Sequence, residues 1–118
     1  FVFVEGVLFD KIMTQLIMCI SSKSGDYTIP NTVATIHEWA FYGCGKLTSI
    51  VIHNSVASIG WGAFDSCSGL TSIVIPESVT EIKGYAFANC SSLKTVSIPK
   101  GLEYPSSAFP DGATITKY

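Results

Sequence analysis

Leu70-Thr71-Ser72-Ile73-Val74-Ile75-Pro76-Glu77-Ser78-Val79-Thr80-Glu81-Ile82-Lys83-Gly84-Tyr85-Ala86-Phe87-Ala88-Asn89-Cys90 is the stretch whose reading decides the fold. Ile73 and Ile75 alternate with Ser72 and Val74, the period of two required by a strand with one buried face. Pro76 ends the alternation, because proline lacks the N–H that a central ladder needs. Val79 and Ile82 carry the chain onward in an extended stretch. Ala86-Phe87 and Cys90 then fall at i, i+1 and i+4, which places them on one side of a single helical turn.

Working outward, the same pattern returns in both directions at a spacing of 23 residues, from Phe41 to Phe64 to Phe87. Cys44, Cys67 and Cys90 keep that interval, as do Leu47, Leu70 and Leu93. So do Ile50, Ile73 and Val96, and Ile52, Ile75 and Ile98; Val56 pairs with Val79, and Ile59 with Ile82. Ala108-Phe109 arrives one residue early, and Tyr27, Ile29, Val33 and Ile36 hold the places of an earlier copy. A fixed period of this length signals a repeat architecture in which each unit buries its apolar face on its neighbours. One coil is therefore a short strand closed by Pro30, Pro76 or Pro99, a corner, an extended stretch through Val56 and Ile59, and a helical turn back. Gly60 and Gly62 suit the corner, where the backbone must bend. His53 stands where the other strands end in proline.

These residues resemble the BspA-like leucine-rich repeats, whose pattern is Leu-x-x-Ile-x-Ile-Pro-x-x-Val-x-x-Ile-Gly-x-x-Ala-Phe-x-x-Cys. Leu70 to Cys90 departs from it chiefly at Lys83-Gly84, where the isoleucine-glycine step is usual. The match runs over about residues 27 to 109. The resemblance implies a right-handed solenoid of about three to four coils with a parallel β-sheet on its concave face. It further implies a bacterial surface protein, with adhesins for host extracellular-matrix proteins among the best-known members. Fold alone does not fix function.

Residues 1–26 do not follow the period. Val2-Phe3-Val4 and Gly6-Val7-Leu8-Phe9 read as extended, Asp10-Lys11 as a turn and Gln15–Ile20 as a returning strand. A terminal coil exposes its apolar cross-section unless something covers it. The segment is accordingly expected to be a β-hairpin cap, with residues 27–118 forming the repeats. Gly112-Ala113-Thr114-Ile115-Thr116 reads as a last, shortened strand, with Lys117 and Tyr118 dressing its edge. The apolar stretch Ile12–Ile20 reads as a buried strand rather than a leader, since Glu5 and Asp10 sit where a leader is positive. A chain beginning at Phe1 with so few coils is expected of a trimmed product, or of a piece of a longer array.

Composition narrows the chemistry. Seven lysines, no arginine and nine carboxylates give a formal charge of -2. A chain of this kind lacks the basic surface that phosphate backbones require, which argues against a nucleic-acid partner. No apolar run reaches the ~18 residues of a membrane span. The four cysteines, Cys19, Cys44, Cys67 and Cys90, read as buried free thiols. A three-member ladder leaves one thiol unpaired in any disulfide scheme, and no Cys/His spacing suits zinc. His37 and His53 are the only histidines, and neither Gly-x-Ser-x-Gly nor a phosphate-cradling loop accompanies them. Gly60-Trp61-Gly62 lacks the third glycine of a dinucleotide fingerprint. Asn89-Cys90-Ser91 spells a glycosylation sequon around a cysteine expected to be buried, and is read as coincidence. No catalytic residue, cofactor or metal ligand is expected, and the chain reads as no enzyme.

What remains is surface. With Ile50, Ile52 and their equivalents inward, the outward strand residues are Ser49, Val51, Ser72, Val74, Thr95 and Ser97, with His53 at the strip's end. Solenoids use such extended faces for partners, although small and β-branched residues are also what strands prefer. Trp39, Trp61, Tyr42 and Tyr85 fall at non-core positions near the corners, either as a second contact surface or packed coil on coil. The expected function is a protein–protein interaction module in a secreted or cell-surface adhesin-like protein. The alternative is a structural spacer with no ligand of its own.

Overall fold

The computed structural model describes all 118 residues. The chain forms eleven short strands: β1 (Val2–Val4), β2 (Val7–Phe9), β3 (Gln15–Cys19), β4 (Gly25–Thr28), β5 (Thr35–Ile36), β6 (Leu47–Val51), β7 (Ser58–Ile59), β8 (Ser72–Val74), β9 (Glu81–Ile82), β10 (Thr95–Ile98) and β11 (Thr114–Lys117). From β4 onward the chain winds as a solenoid of four coils, each adding a strand to either wall. β4, β6, β8, β10 and β11 make the first wall. β5, β7 and β9 make the second, and are the extended stretches seen in sequence as Val33–Ile36, Val56–Ile59 and Val79–Ile82. All pairings between coils are parallel.

The N-terminal segment caps the stack by continuing the second wall. β1 and β2 form an antiparallel hairpin, β2 pairs antiparallel with β3, and β3 pairs parallel with β5. Glu5 and Gly6 both take positive φ, 47° and 87°, at the two-residue turn. That is the backbone hand matching the twist of the flanking strands. The alternation of β2 and β3 turns Val7, Phe9, Leu16 and Cys19 into the core, closing the end of the apolar column. At the opposite end Tyr118 lies past β11, where its N–H donates to the Ile98 carbonyl and its hydroxyl reaches the Ile75 carbonyl at 2.6 Å.

The core is a column of like residues. Phe41, Phe64, Phe87 and Phe109 stack nearly face to face, with successive centroids 4.8, 4.7 and 5.2 Å apart. Tyr27 tilts onto Phe41 at the capped end. The repeat forces this stacking, because equivalent Cα atoms lie one strand spacing apart.

Two features differ from the sequence reading. No helical turn forms around Ala63–Cys67 or its equivalents; those residues make consecutive tight turns. Two positions per coil are left-handed: Trp39, Gly62 and Tyr85 at φ 60°, 55° and 60°, then Gly43, Ser66 and Asn89 at 72°, 64° and 57°. A helix would point every amide along its own axis. Here alternate amides leave the turn: Gly62, Phe64 and Ser66 donate to the Gly84, Ala86 and Ala88 carbonyls of the next coil. The residues between them, Ala63, Asp65 and Cys67, donate three residues back, to Gly60, Gly62 and Phe64. The corner thus stacks by hydrogen bonds like a third wall.

The second difference is a seam in the first wall. β4 pairs with β6, and β8 with β10 and then β11, but no ladder joins β6 to β8. Ile29 N–H donates to Val51 O, and Ile75 N–H to Ser97 O, whereas the equivalent bond from Ile52 to Val74 is missing. Ile50 and Ile52 are correspondingly 6% and 7% exposed, while Ile75 and Ile98 are sealed. The chain entering β8 passes through Gly69, where a Cβ would lie 2.6 Å from the Gly45 carbonyl oxygen and 2.9 Å from that of Leu47. Such a close approach needs glycine.

Candidate functional site

The outward residues of the first wall come together as expected, though across the seam. Ser49 and Val51 lie on β6, Ser72 and Val74 on β8, and Thr95 and Ser97 on β10. Val51 is 47% and Val74 60% exposed, large values for valine on a sheet. Register sets Ser72 beside Thr95 and Val74 beside Ser97. Ser49, Val51, Ser72 and Val74 flank a shallow cleft of about 320 Å³ whose floor is Ile50, Ile52 and Ile73. His53 is half-buried just beyond β6 and outside that cleft.

Register also adds residues that the sequence reading omitted. Asp26 and Thr28 lie beside Ser49 and Val51, and Thr114 and Thr116 beside Thr95 and Ser97. The strip is five strands wide rather than three. The signal was available: Tyr27 and Ile29 marked the earlier copy, and Thr114–Thr116 read as a last strand, so the same alternation names their outward neighbours.

The corner carries a different surface. Trp39 lies over Gly62, and Trp61 over Gly84; a Cβ on either glycine would collide with the indole. Both tryptophans pack coil on coil and still leave half their surface in solvent. Trp39 meets Tyr42 edge to face at 5.8 Å and 88°. A groove of about 480 Å³ opens beside them, lined also by Asp65, Ser66 and Asn89.

The four cysteines are free and buried. Cys67 Sγ donates to the Phe41 carbonyl at 3.2 Å, and Cys90 Sγ to the Phe64 carbonyl at 3.1 Å. Cys44 Sγ points at the Cys19 and Ile20 carbonyls, at 3.8 and 3.7 Å. Cys44, Cys67 and Cys90 therefore serve as small apolar side chains with a weak donor turned toward the preceding chain segment, while the Cys19 thiol points at the adjacent Ile20 carbonyl. The neighbouring Cys90 thiol, and then burial, push the Cys67 thiol well above the ordinary thiol range; Cys19 and burial do the same for Cys44. Such thiols are poor nucleophiles. No three His, Cys, Asp or Glu side chains lie close enough together to hold a metal ion. No helix is long and apolar enough to cross a membrane.

Parallel coils of a 23-residue unit, shortened in the last coil, around a stacked phenylalanine column define a leucine-rich repeat solenoid. The chain belongs to the BspA-type leucine-rich repeat family, since the pattern described as "BspA type Leucine rich repeat region" matches it in 6 copies over residues 18–117. It is similar in structure to a leucine-rich repeat protein from Eubacterium ventriosum ATCC 27560, at 34% identity and a TM-score of 0.78 over 83% of this chain. It is also similar to a leucine rich cell surface protein from Faecalibacterium prausnitzii A2-165, at 28% identity and a TM-score of 0.71 over 98% of this chain. The chain spans 26% of the first protein and 38% of the second. No curated protein matches it.

Proposed function

We propose that this chain is a non-enzymatic protein-interaction module of a secreted or cell-surface, adhesin-like protein, and that its first wall is the contact face for a host matrix or cell-surface protein. The observation that carries the reading is the outward strip itself. Ser49, Val51, Ser72, Val74, Thr95 and Ser97 form the uncharged middle of the strip, beside Asp26 at its edge, with two valines standing about half exposed beside a cleft. Apolar side chains held in solvent beside hydroxyl groups suit shape-based contact with a protein. The description of the similar Faecalibacterium prausnitzii protein as a cell surface protein supports the localisation.

The test is surface-plasmon titration of the chain against immobilised matrix proteins, beside a Val74→Lys variant. Val74 lies outside the core, so the variant should keep its stability within about 0.5 kcal/mol. Binding that weakens at least about tenfold in the variant supports the strip as the contact face. Equal binding by both forms removes the strip from the reading. Absence of binding by the unmodified chain leaves it as a spacer.

A further inference from the structure

Asp65 is the only charged or polar non-glycine side chain in the buried set, at 8% exposure. It occupies the place held by Tyr42 one coil earlier and Ala88 one coil later. Its backbone is committed to the fold, the N–H donating to Gly62 O and the carbonyl accepting from Gly43 N–H, each at 2.9 Å. Its carboxylate is held by two neighbours on one oxygen only. Oδ1 accepts from Ser66 Oγ at 2.8 Å and from Asn89 Nδ2 at 3.2 Å, while Oδ2 has no partner. Oδ2 opens to the groove rather than being sealed in the core, and no cationic side chain lines that groove.

The rest of the groove has the complementary character. Trp39 and Tyr42 line the same groove as Asp65, meet edge to face, and are both about half-exposed. Trp39 takes this place in the left-handed backbone region, where the next coil has Gly62. A bulky residue there is costlier than glycine. Ring faces attract cations, and an ionised carboxylate with a free oxygen makes a charge-assisted hydrogen bond to an N–H donor. We infer that this groove binds the cationic side chain of a lysine or arginine on a partner protein, with Asp65 Oδ2 accepting its N–H and the rings of Trp39 and Tyr42 covering its charge. The inference deepens the proposed interaction role by adding a second contact site, at the corner, with a stated chemistry. A neutral sugar would also lie against the same rings and donate a hydroxyl to the carboxylate, but it brings no positive charge to either.

The test is a ¹H–¹⁵N NMR titration of the chain, with the two indole signals assigned through Trp61→Phe. The probes are Nα-acetyl-lysine methylamide, its Nε-acetylated and hence uncharged counterpart, and methyl α-glucopyranoside. The charged lysine derivative is expected to move the Trp39 indole and the amides of Asp65, Ser66 and Asn89, with saturation in the millimolar range. The two neutral probes should not. Asp65→Asn should weaken binding at least about fivefold, and Tyr42→Ala about two- to fivefold. An equal response to the Nε-acetylated probe, a response to the glucoside, or unchanged affinity in Asp65→Asn would overturn the inference. If Asp65→Asn does not fold, Tyr42→Ala and the charged-against-neutral comparison decide. A chain that captures a matrix protein while ignoring the lysine derivative loses this inference alone. One that takes the lysine derivative but no matrix protein keeps the groove and loses the wider interaction reading.

Discussion

Phe64 and Val51 are both apolar residues of the repeat, yet the solenoid uses them in opposite ways. Phe64 is fully buried between Phe41 and Phe87. Cutting it to alanine opens a hole in a column whose neighbours are fixed from both sides by coil-to-coil hydrogen bonds. Phe64→Ala should therefore cost about 3–5 kcal/mol, within the range of large core truncations. Val51 stands on the outward face, and Val51→Ala should cost less than ~1 kcal/mol. Urea titrations of the two variants check this; similar losses would mean that the inward and outward faces are misassigned. The residues behind this contrast were legible in the sequence, because a fixed period repeats type and position together. The thiol-to-carbonyl contacts of Cys67 and Cys90 were not. The sequence reading found small buried hydrophobes there, and only the backbone path shows a carbonyl waiting in the preceding coil.

Among the elements, the β2–β3 connection rests on one carboxylate. Asp10 accepts from the Thr14 N–H, the Thr14 hydroxyl and the Gln15 N–H, each at 2.8 Å. The Gln15 N–H foremost, with Thr14 adding to it, holds the Asp10 carboxyl below its ordinary value of 3.8. A folded-state value below the unfolded one means that the contribution to stability is fully present above about pH 4. It is lost as pH falls through the lowered value, where folded Asp10 takes up its proton. Asp10→Asn should thus lower the urea midpoint near neutrality, and the difference should shrink as pH falls below 3.8 and through the lowered value. Curves of midpoint against pH that stay parallel would show that the Asp10 carboxylate does not staple this turn. The strands flanking it were readable from alternation. The corner turns were not, because apolar residues at i, i+1 and i+4 fit both a helical turn and a tight turn with two left-handed residues. Gly43, Ser66 and Asn89 offered a hint, since glycine and asparagine are the usual left-handed residues. Trp39 and Tyr85 offered none. The seam was also hidden, because β6 and β8 are spelled alike from Leu47 to Ile52 and from Leu70 to Ile75, and the likeness breaks only at the flanks, at Gly69 for Lys46 and at His53 for Pro76.

For the molecule as a whole, the decisive quantities are charge and width. A formal charge of -2 with no arginine offers little long-range steering to a charged partner. Asp65 acts at short range from a buried position, where salt screens little. Association should therefore depend weakly on ionic strength, even where a basic side chain contributes. The first wall has five strands instead of the three read from the sequence, which widens it to about 19 Å at ~4.8 Å per step. With two outward-facing positions along each strand, the strip is still only about a few hundred Å². A standard interface buries about 800 Å² on each partner. A single copy should consequently bind a matrix protein weakly, with a dissociation constant above roughly 1 μM. Tethering two copies through a flexible linker should raise the apparent affinity by about 10²-fold or more, provided both reach the same target. Surface-plasmon titrations of the single chain and of the tandem, each at 50 and 500 mM salt, decide the matter. Nanomolar binding by one copy, or binding abolished at the higher salt, would place recognition on some surface other than the strip and the Asp65 groove.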